Sequence, residues 1–195
     1  MHRFLALGDS YTIGECVQYE ERWPIQLVHE LNKRGWQIES TTILATTGWR
    51  TDNLRVAIDI ANLQPIYDFV SLLIGVNNQY QGRSPDEYEM EFVQLLDKAM
   101  QLCKNKKGMF VVSIPDYGFT PFGQLKQKKV SKAIDVFNEI NKRRAIERGV
   151  YYCDITEISR EGLRKPELIA SDKLHPSGIM YRLWVDQIVK ELTSN

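Results

Sequence analysis

The chain has 195 residues, 43% of them hydrophobic and 26% charged, which suits a globular protein with one sizeable core and leaves little for two. Its 25 Lys and Arg balance 25 Asp and Glu, so net charge calls for neither a polyanion nor a membrane surface as partner. No apolar run approaches the ~18–20 residues of a membrane span, and no leader-like segment precedes the first apolar run. The expectation is a single domain over residues 1–195, cytoplasmic unless an export leader has been removed, with no stable membrane insertion. The oligomeric state is left open.

Arg3-Phe4-Leu5-Ala6-Leu7 is a short apolar run that predicts a buried strand, and Gly8 permits a sharp turn after it. Asp9, Ser10, Tyr11 and Thr12 follow. This sets Ser10 at a strand's C-terminal end, where open α/β sheets bind ligands. Gly-Asp-Ser is also an ordinary turn composition, its Asp and Ser satisfying nearby backbone groups. The stretch alone does not separate the two readings.

Residues 23–34 predict a helix, with Pro24 in its first turn, Ile25, Leu27, Val28 and Leu31 on its apolar face, and Gly35 as its stop. Residues 36–45 alternate as a strand. Thr46-Thr47-Gly48-Trp49-Arg50 is a loop, after which Thr51 or Asp52 caps a helix running to about Asn62. Residues 67–74 (YDFVSLLI) are almost continuously apolar, as in a central parallel strand. They end in Gly75-Val76-Asn77-Asn78, with residues 79–83 read as a loop. Ser84-Pro85-Asp86-Glu87 opens a helix whose Tyr88, Phe92, Leu95, Leu96, Ala99 and Leu102 share a core-facing stripe.

Residues 109–114 are the fourth strand, followed by a loop rich in aromatic residues and proline. Residues 126–148 predict a helix with eight Lys or Arg against three Asp or Glu. With no aromatic platform or nucleic-acid motif beside it, this helix is read as a solvated basic face, and no nucleic acid is expected as partner. Residues 150–153 are the fifth strand. A polar stretch containing Asp172-Lys173-Leu174-His175-Pro176 leads to a last helix with Ile179, Met180, Leu183, Trp184, Ile188 and Leu192 inward. Strands and helices alternate throughout, which predicts a three-layer α/β domain, a parallel sheet with helices on both faces. Cys16, Cys103 and Cys153 lack paired spacing and are read as reduced thiols, two in the core and one nearer the surface.

In a parallel sheet the loops after the strands open on one edge, so Ser10, Gly48, Asn77, Asp172 and His175 can converge there. Each has a bland reading alone: His175 as a helix cap, Asp172 as a loop cap, Gly48 as a positive-φ turn residue, Asn77 as an Asx-turn former. Together they supply what acyl transfer needs. Ser10 is a hydroxyl nucleophile, His175 a base to take its proton, and Asp172 a carboxylate to orient the imidazole or fix its loop. The Ser10 N–H, the Gly48 N–H and the Asn77 amide are donors for an oxyanion, each of a kind worth roughly 2.7–4 kcal/mol of barrier.

Those residues in that order resemble the SGNH (GDSL-like) hydrolase family. The first block is Gly8-Asp9-Ser10-Tyr11-Thr12, the second-block glycine is Gly48, the third block is Gly75-Val76-Asn77-Asn78, and the last is Asp172-Lys173-Leu174-His175. The resemblance implies a flavodoxin-like five-stranded parallel sheet in the order 2-1-3-4-5 and hydrolysis of esters through an acyl-serine without metal or cofactor. Tyr11 stands where the name-giving motif has leucine, and Asn78 where the family usually has aspartate. Asp9, Trp49, Asn78 and Tyr80 are taken as substrate-contacting candidates. Arg50, Arg83, Tyr117, Phe119 and Phe122 lie on loops that could also rim the site.

The expected partner is a small-molecule ester: a short-acyl ester, a lysophospholipid or an acetylated carbohydrate. No insertion is long enough for a lid. An acyltransferase using the same acyl-enzyme is an alternative, as is a small-ligand-binding module without turnover, although no G-x-x-x-x-G-K-[ST] or G-x-G-x-x-G is present for a phosphate ligand.

Overall fold

The computed structural model describes residues 1–64 and 66–193. Five strands, β1 (His2–Gly8), β2 (Ile38–Ala45), β3 (Phe69–Leu73), β4 (Met109–Val112) and β5 (Tyr151–Cys153), form one parallel sheet in the order β2-β1-β3-β4-β5. The interior strands are apolar because both faces are covered: Phe4 to Leu7 of β1 and all of β4 are buried. Helices α1 (Ser10–Ile13), α2 (Trp23–Lys33), α3 (Thr51–Ala61), α4 (Val76–Tyr80), α5 (Pro85–Leu102), α6 (Gln127–Glu147), α7 (Thr156–Ser159) and α8 (Gly178–Thr193) complete the chain. Helix α2 packs on α8, while α5 packs on α3 and α6, giving a helical layer on each side of the sheet.

This topology makes a site at one edge. Gly8 pairs with Ala45 of β2 and with Leu73 of β3, so three strands end at the same level. The chain leaves β1 toward β2 on one side and later toward β3 on the other. The crevice where that order reverses lies beyond their carboxyl ends. Gly8 itself has no room for a side chain: a Cβ would lie 2.2 Å from Thr12 Oγ1 and 2.6 Å from the Leu73 carbonyl.

The expected elements are present, with local corrections. Residues 79–83 are not wholly loop, since α4 runs through Tyr80; a helix of five residues is too short to show apolar periodicity. Neither Thr51 nor Asp52 caps α3. Arg50 is its N-cap, its N–H donating to Asn53 Oδ1 at 3.1 Å, and the Thr51 N–H is already given to Asn78 Oδ1. On α8, Ile179 and Leu183 are exposed, because Tyr181, Val185 and Val189 take the buried face alongside Met180, Trp184 and Ile188. Cys103 and Cys153 are buried and Cys16 is exposed. Among the described residues, no helix is long and apolar enough to cross a membrane.

Candidate active site

Ser10 opens α1 directly after β1. Asp9 is its N-cap, and the Asp9 carboxylate Oδ1 accepts the Tyr11 N–H at 3.1 Å, which fixes the turn presenting Ser10. Gly14 ends this single turn in the left-handed conformation, φ +76°. Gly48 sits at φ +84° in the loop after β2, and Asn77 lies in the first turn of α4 after Gly75. The Asn77 amide donates to the Trp49 carbonyl at 2.9 Å. This bond fastens the loop after β2 to the helix after β3, and an amide nitrogen has a second hydrogen for another acceptor.

His175 arrives from the far end of the chain. Ile169 and Pro176 form an antiparallel bridge, and the Ala170 N–H donates to the His175 carbonyl at 2.8 Å, so the backbone of His175 is clamped. Lys173 turns the segment through a left-handed conformation, φ +66°. Asp172 then closes the turn on itself: Oδ1 accepts the N–H groups of Leu174 and His175, both at 3.0 Å, while Oδ2 lies 2.5 Å from His175 Nδ1. Burial acts to raise the Asp172 carboxyl, but the bonds from the His175 ring and from the two backbone N–H groups outweigh it and hold it down to about 2. Asp172 is therefore ionised at neutral pH. With Nδ1 engaged, Nε2 is the ring nitrogen left for chemistry. Tyr11 meets the other side of the ring edge-on, with centroids 5.5 Å apart.

These elements enclose a cleft of 220 Å³ lined by Ser10, Tyr11, Gly48, Asn77 and His175, with Thr47, Val76, Tyr80, Tyr117, Phe122 and Leu174 completing its walls. Ser10 and His175 are only 5% and 8% exposed. The cleft thus collects a hydroxyl, an imidazole keyed to a carboxylate, and a glycine and an amide at the ends of two further strands. Such a set can transfer an acyl group.

The remaining predicted contacts divide. Tyr80 lines the cleft, as do Tyr117 and Phe122 from the rim loops. Asp9 and Asn78 do not: both are wholly buried. Asp9 lies beneath the Ser10 turn, where burial raises its carboxyl to about 7 against the backbone N–H bonds of Tyr11 and of Asp9 itself, which lower it. Asn78 lies on the buried face of α4. Its Oδ1 accepts the Thr51 N–H at 3.1 Å, and its Nδ2 donates to Thr51 Oγ1 at 2.7 Å and to Glu91 Oε2 at 3.3 Å. Trp49 contributes its carbonyl to Asn77 while its ring packs on the core. Arg50 is tied to Asp52 and Gln81, and the Arg160 guanidinium lies 6.0 Å from the centre of the Phe119 ring.

Thr47 and Leu174 as wall residues, the packing of Tyr11 on the imidazole, and Glu91 against Asn78 are not foreseen from the sequence. The first two are neighbours of predicted residues, so chain proximity to Gly48 and His175 was the available signal. Glu91 carried none, since it lies on a helix 40 residues beyond Thr51, its partner. The Cys16 thiol is pushed up by loss of some hydration and by the Asp172 and Glu15 carboxylates, which disfavours the thiolate. Among the described residues, no group of three or more His, Cys, Asp or Glu is placed to hold a metal ion.

The same architecture recurs in solved structures. A member of the lipolytic protein G-D-S-L family from Veillonella parvula superposes with a TM-score of 0.78 at 17% identity, covering 96% of each chain. Axe2, an acetylxylan esterase from Geobacillus stearothermophilus, does so with a TM-score of 0.75 at 19% identity, over 98% of this chain and 94% of that one. The psychrotrophic esterase EstA from a Pseudoalteromonas species gives 0.70 at 15% identity, over 100% and 98%. At these identities the likeness is one of fold. No curated protein matches the sequence. The sequence matches the model of the GDSL-like lipase/acylhydrolase family over residues 6–183. The chain belongs to that family and is an ester hydrolase.

Proposed function

We propose that the protein cleaves carboxylic esters with a small acyl group through an acyl-serine intermediate formed on Ser10. His175 Nε2 takes the Ser10 proton as Oγ attacks the carbonyl carbon. The oxyanion is received by the N–H groups of Ser10 and Gly48 and by the second hydrogen of the Asn77 amide. As the tetrahedral centre collapses, the imidazolium returns the proton to the departing alcohol oxygen. Water then repeats the sequence on the acyl-enzyme, with His175 as its base, and leaves the acid and free Ser10. Asp172 stays ionised throughout; it holds the ring in the tautomer with Nε2 free and stabilises the imidazolium.

The observation that carries this reading is the meeting of Ser10 and His175 in one cleft, with His175 Nδ1 2.5 Å from Asp172. The cleft volume of 220 Å³, below the ~300–1,000 Å³ of most small-molecule sites, favours a short acyl group around the reacting atoms. The acetylxylan esterase among the structural neighbours is in keeping with acetyl as that group. The test is a series of p-nitrophenyl esters from acetate to decanoate, beside acetylated xylo-oligosaccharides and lysophospholipids. Expected is kcat/KM highest at the two shortest acyl groups. Background rates for every member, with folded protein, would contradict hydrolysis at this site.

A further inference from the structure

A second groove, of 590 Å³, lies between residues 79–85 and the first half of α6. Tyr80, Tyr117 and Phe122 line both spaces, so the groove adjoins the Ser10 cleft at these three side chains. The three rings contact one another, with centroids 6.1–6.5 Å apart. The Tyr117 hydroxyl donates to Gln79 Oε1 at 3.0 Å, which fixes this waist between the α4 segment and the loop after β4. An ester whose smaller half fills the cleft has this groove for its larger half.

The groove has an apolar floor and a cationic rim. Val130 and Phe137 are buried beneath it, while Leu125 is 94% and Val136 41% exposed at its edge. Contiguous exposed apolar surface bounded by charge marks a binding site more often than a bare face. Lys126, Lys129 and Lys132 line the rim with Arg83, and no Asp or Glu does. The excess is local, since the chain as a whole is electrically balanced.

Helix α6 separates this rim from an ordinary solvated basic face. Arg143, Arg144 and Arg148 near its C-terminus are neutralised by Glu89, Glu147 and Asp97. Lys126, Lys129 and Lys132 form no ion pair among the described residues, although the same helix shows acids can be recruited. Arg83 is held by Glu87, which leaves the three lysines as the available cations.

We propose that the groove is a subsite for the anionic end of the substrate: the preferred ester carries, on its larger and apolar half, a carboxylate, sulfonate or phosphate remote from the scissile bond. The apolar body lies on the Val130 and Phe137 floor, and the anion is met by the lysine ammonium groups. Point charges on flexible stems select for charge more than for the geometry of a particular anion. The inference rests on the reading of the Ser10 cleft as the place of ester cleavage.

Two substrate pairs test it. The p-nitrophenyl esters of hexanoic acid and of adipic acid, the latter a half-ester, differ by an anion on the acyl side. 2-Naphthyl acetate and its 6-sulfonate differ by an anion on the alcohol side. In at least one pair the anionic member should have a kcat/KM about tenfold above its neutral partner at low ionic strength, converging with it in high salt. The pair that responds tells which half of the ester occupies the groove.

The exposed lysines can be reversed together in a Lys126→Glu, Lys129→Glu, Lys132→Glu variant. This should abolish or invert the preference while the melting temperature stays near wild type. Equal rates within both pairs, or a preference that survives the charge reversal, would overturn the proposal. Binding of the product 6-hydroxynaphthalene-2-sulfonate to a Ser10→Ala variant gives a readout independent of turnover, and should be about tenfold tighter than that of 2-naphthol. Sulfonate binding that depends on the lysines, with no turnover of any ester by wild type, sinks the hydrolase reading and keeps the subsite. Turnover with neither charge preference nor lysine-dependent binding sinks the subsite alone.

Discussion

The carboxylate of Asp172 holds His175 at two places: Oδ2 lies 2.5 Å from the ring Nδ1, and Oδ1 accepts the backbone N–H of the same residue at 3.0 Å. Ring tautomer and loop shape are thus set by one side chain, and substitution can separate them. Asp172→Asn keeps an acceptor for the backbone but offers Nδ1 an N–H, which turns the ring to the tautomer whose Nε2 is protonated. We expect kcat/KM to fall by ~10³–10⁴-fold with a melting temperature near wild type. Asp172→Ala should lose comparable activity and also stability, because the Leu174 and His175 N–H groups lose their acceptor. Ester hydrolysis assays and thermal melts on both variants check this.

Asn78 stands where the family usually has aspartate, and the structure gives the exchange a physical reason. Glu91 already supplies a carboxylate there, accepting from Asn78 Nδ2 at 3.3 Å and from the Thr51 hydroxyl. Asn78→Asp would set two carboxylates against each other behind the helix that bears Asn77. A loss of about 1–3 kcal/mol in urea denaturation is expected. Adding Glu91→Gln should restore most of it. An Asn78→Asp variant as stable as wild type would refute this.

Gly75 enters α4 at φ +127°, and a Cβ there would lie 2.5 Å from the Tyr88 hydroxyl and 2.8 Å from Ile114 Cδ1. Tyr88 cannot easily yield, since its ring is stacked on Phe137 at 4.2 Å and its hydroxyl bonds Asn141 at 2.7 Å. Gly75→Ala should therefore displace α4 and with it the Asn77 amide. The expected result is a destabilisation of about 1–3 kcal/mol with a lowered kcat, read by denaturation and by steady-state kinetics.

Asp9 gives the protein a pH signature. Its carboxyl is raised to about 7 in the fold from an ordinary value of 3.8. Between those values the folded state holds a proton that the unfolded chain has released, so this group makes stability fall as pH rises from about 4 to about 7, and flatten above that. Asp9→Asn keeps the acceptor for the Tyr11 N–H and removes the titration. Denaturation midpoints measured from pH 4 to pH 8 should decline less in the variant than in wild type. Parallel curves for the two proteins would contradict the assignment.

Much of this arrangement was legible in the sequence because it rests on local signals. The continuous apolar runs of β1, β3 and β4 announce strands covered on both faces, and the segments after β1, β2 and β3 carry Ser10, Gly48 and Asn77 to one edge. Asp172 and His175 lie a single turn apart, so spacing allowed the ring contact and the loop contact alike, and the structure has both. What the sequence could not show depends on which buried face a residue meets. Asp9 and Asn78 look like surface polar residues beside Ser10 and Asn77, yet both are wholly buried. Ile179 and Leu183 look like core residues because α8 is apolar over more of its circumference than the sheet covers. The contrast along α6 was hidden too, since only folding brings Glu89 and Asp97 to its C-terminal arginines and leaves the first lysines without acids.

Labelling with an alkyl fluorophosphonate, followed by intact-mass measurement and peptide mapping, tests whether Ser10 is the nucleophile of an acyl-enzyme. One adduct per chain on Ser10, loss of hydrolysis in proportion to labelling, and no adduct on a folded Ser10→Ala variant are expected. Full labelling of that variant, or an adduct mapped to any other residue in wild type, would contradict that role for Ser10.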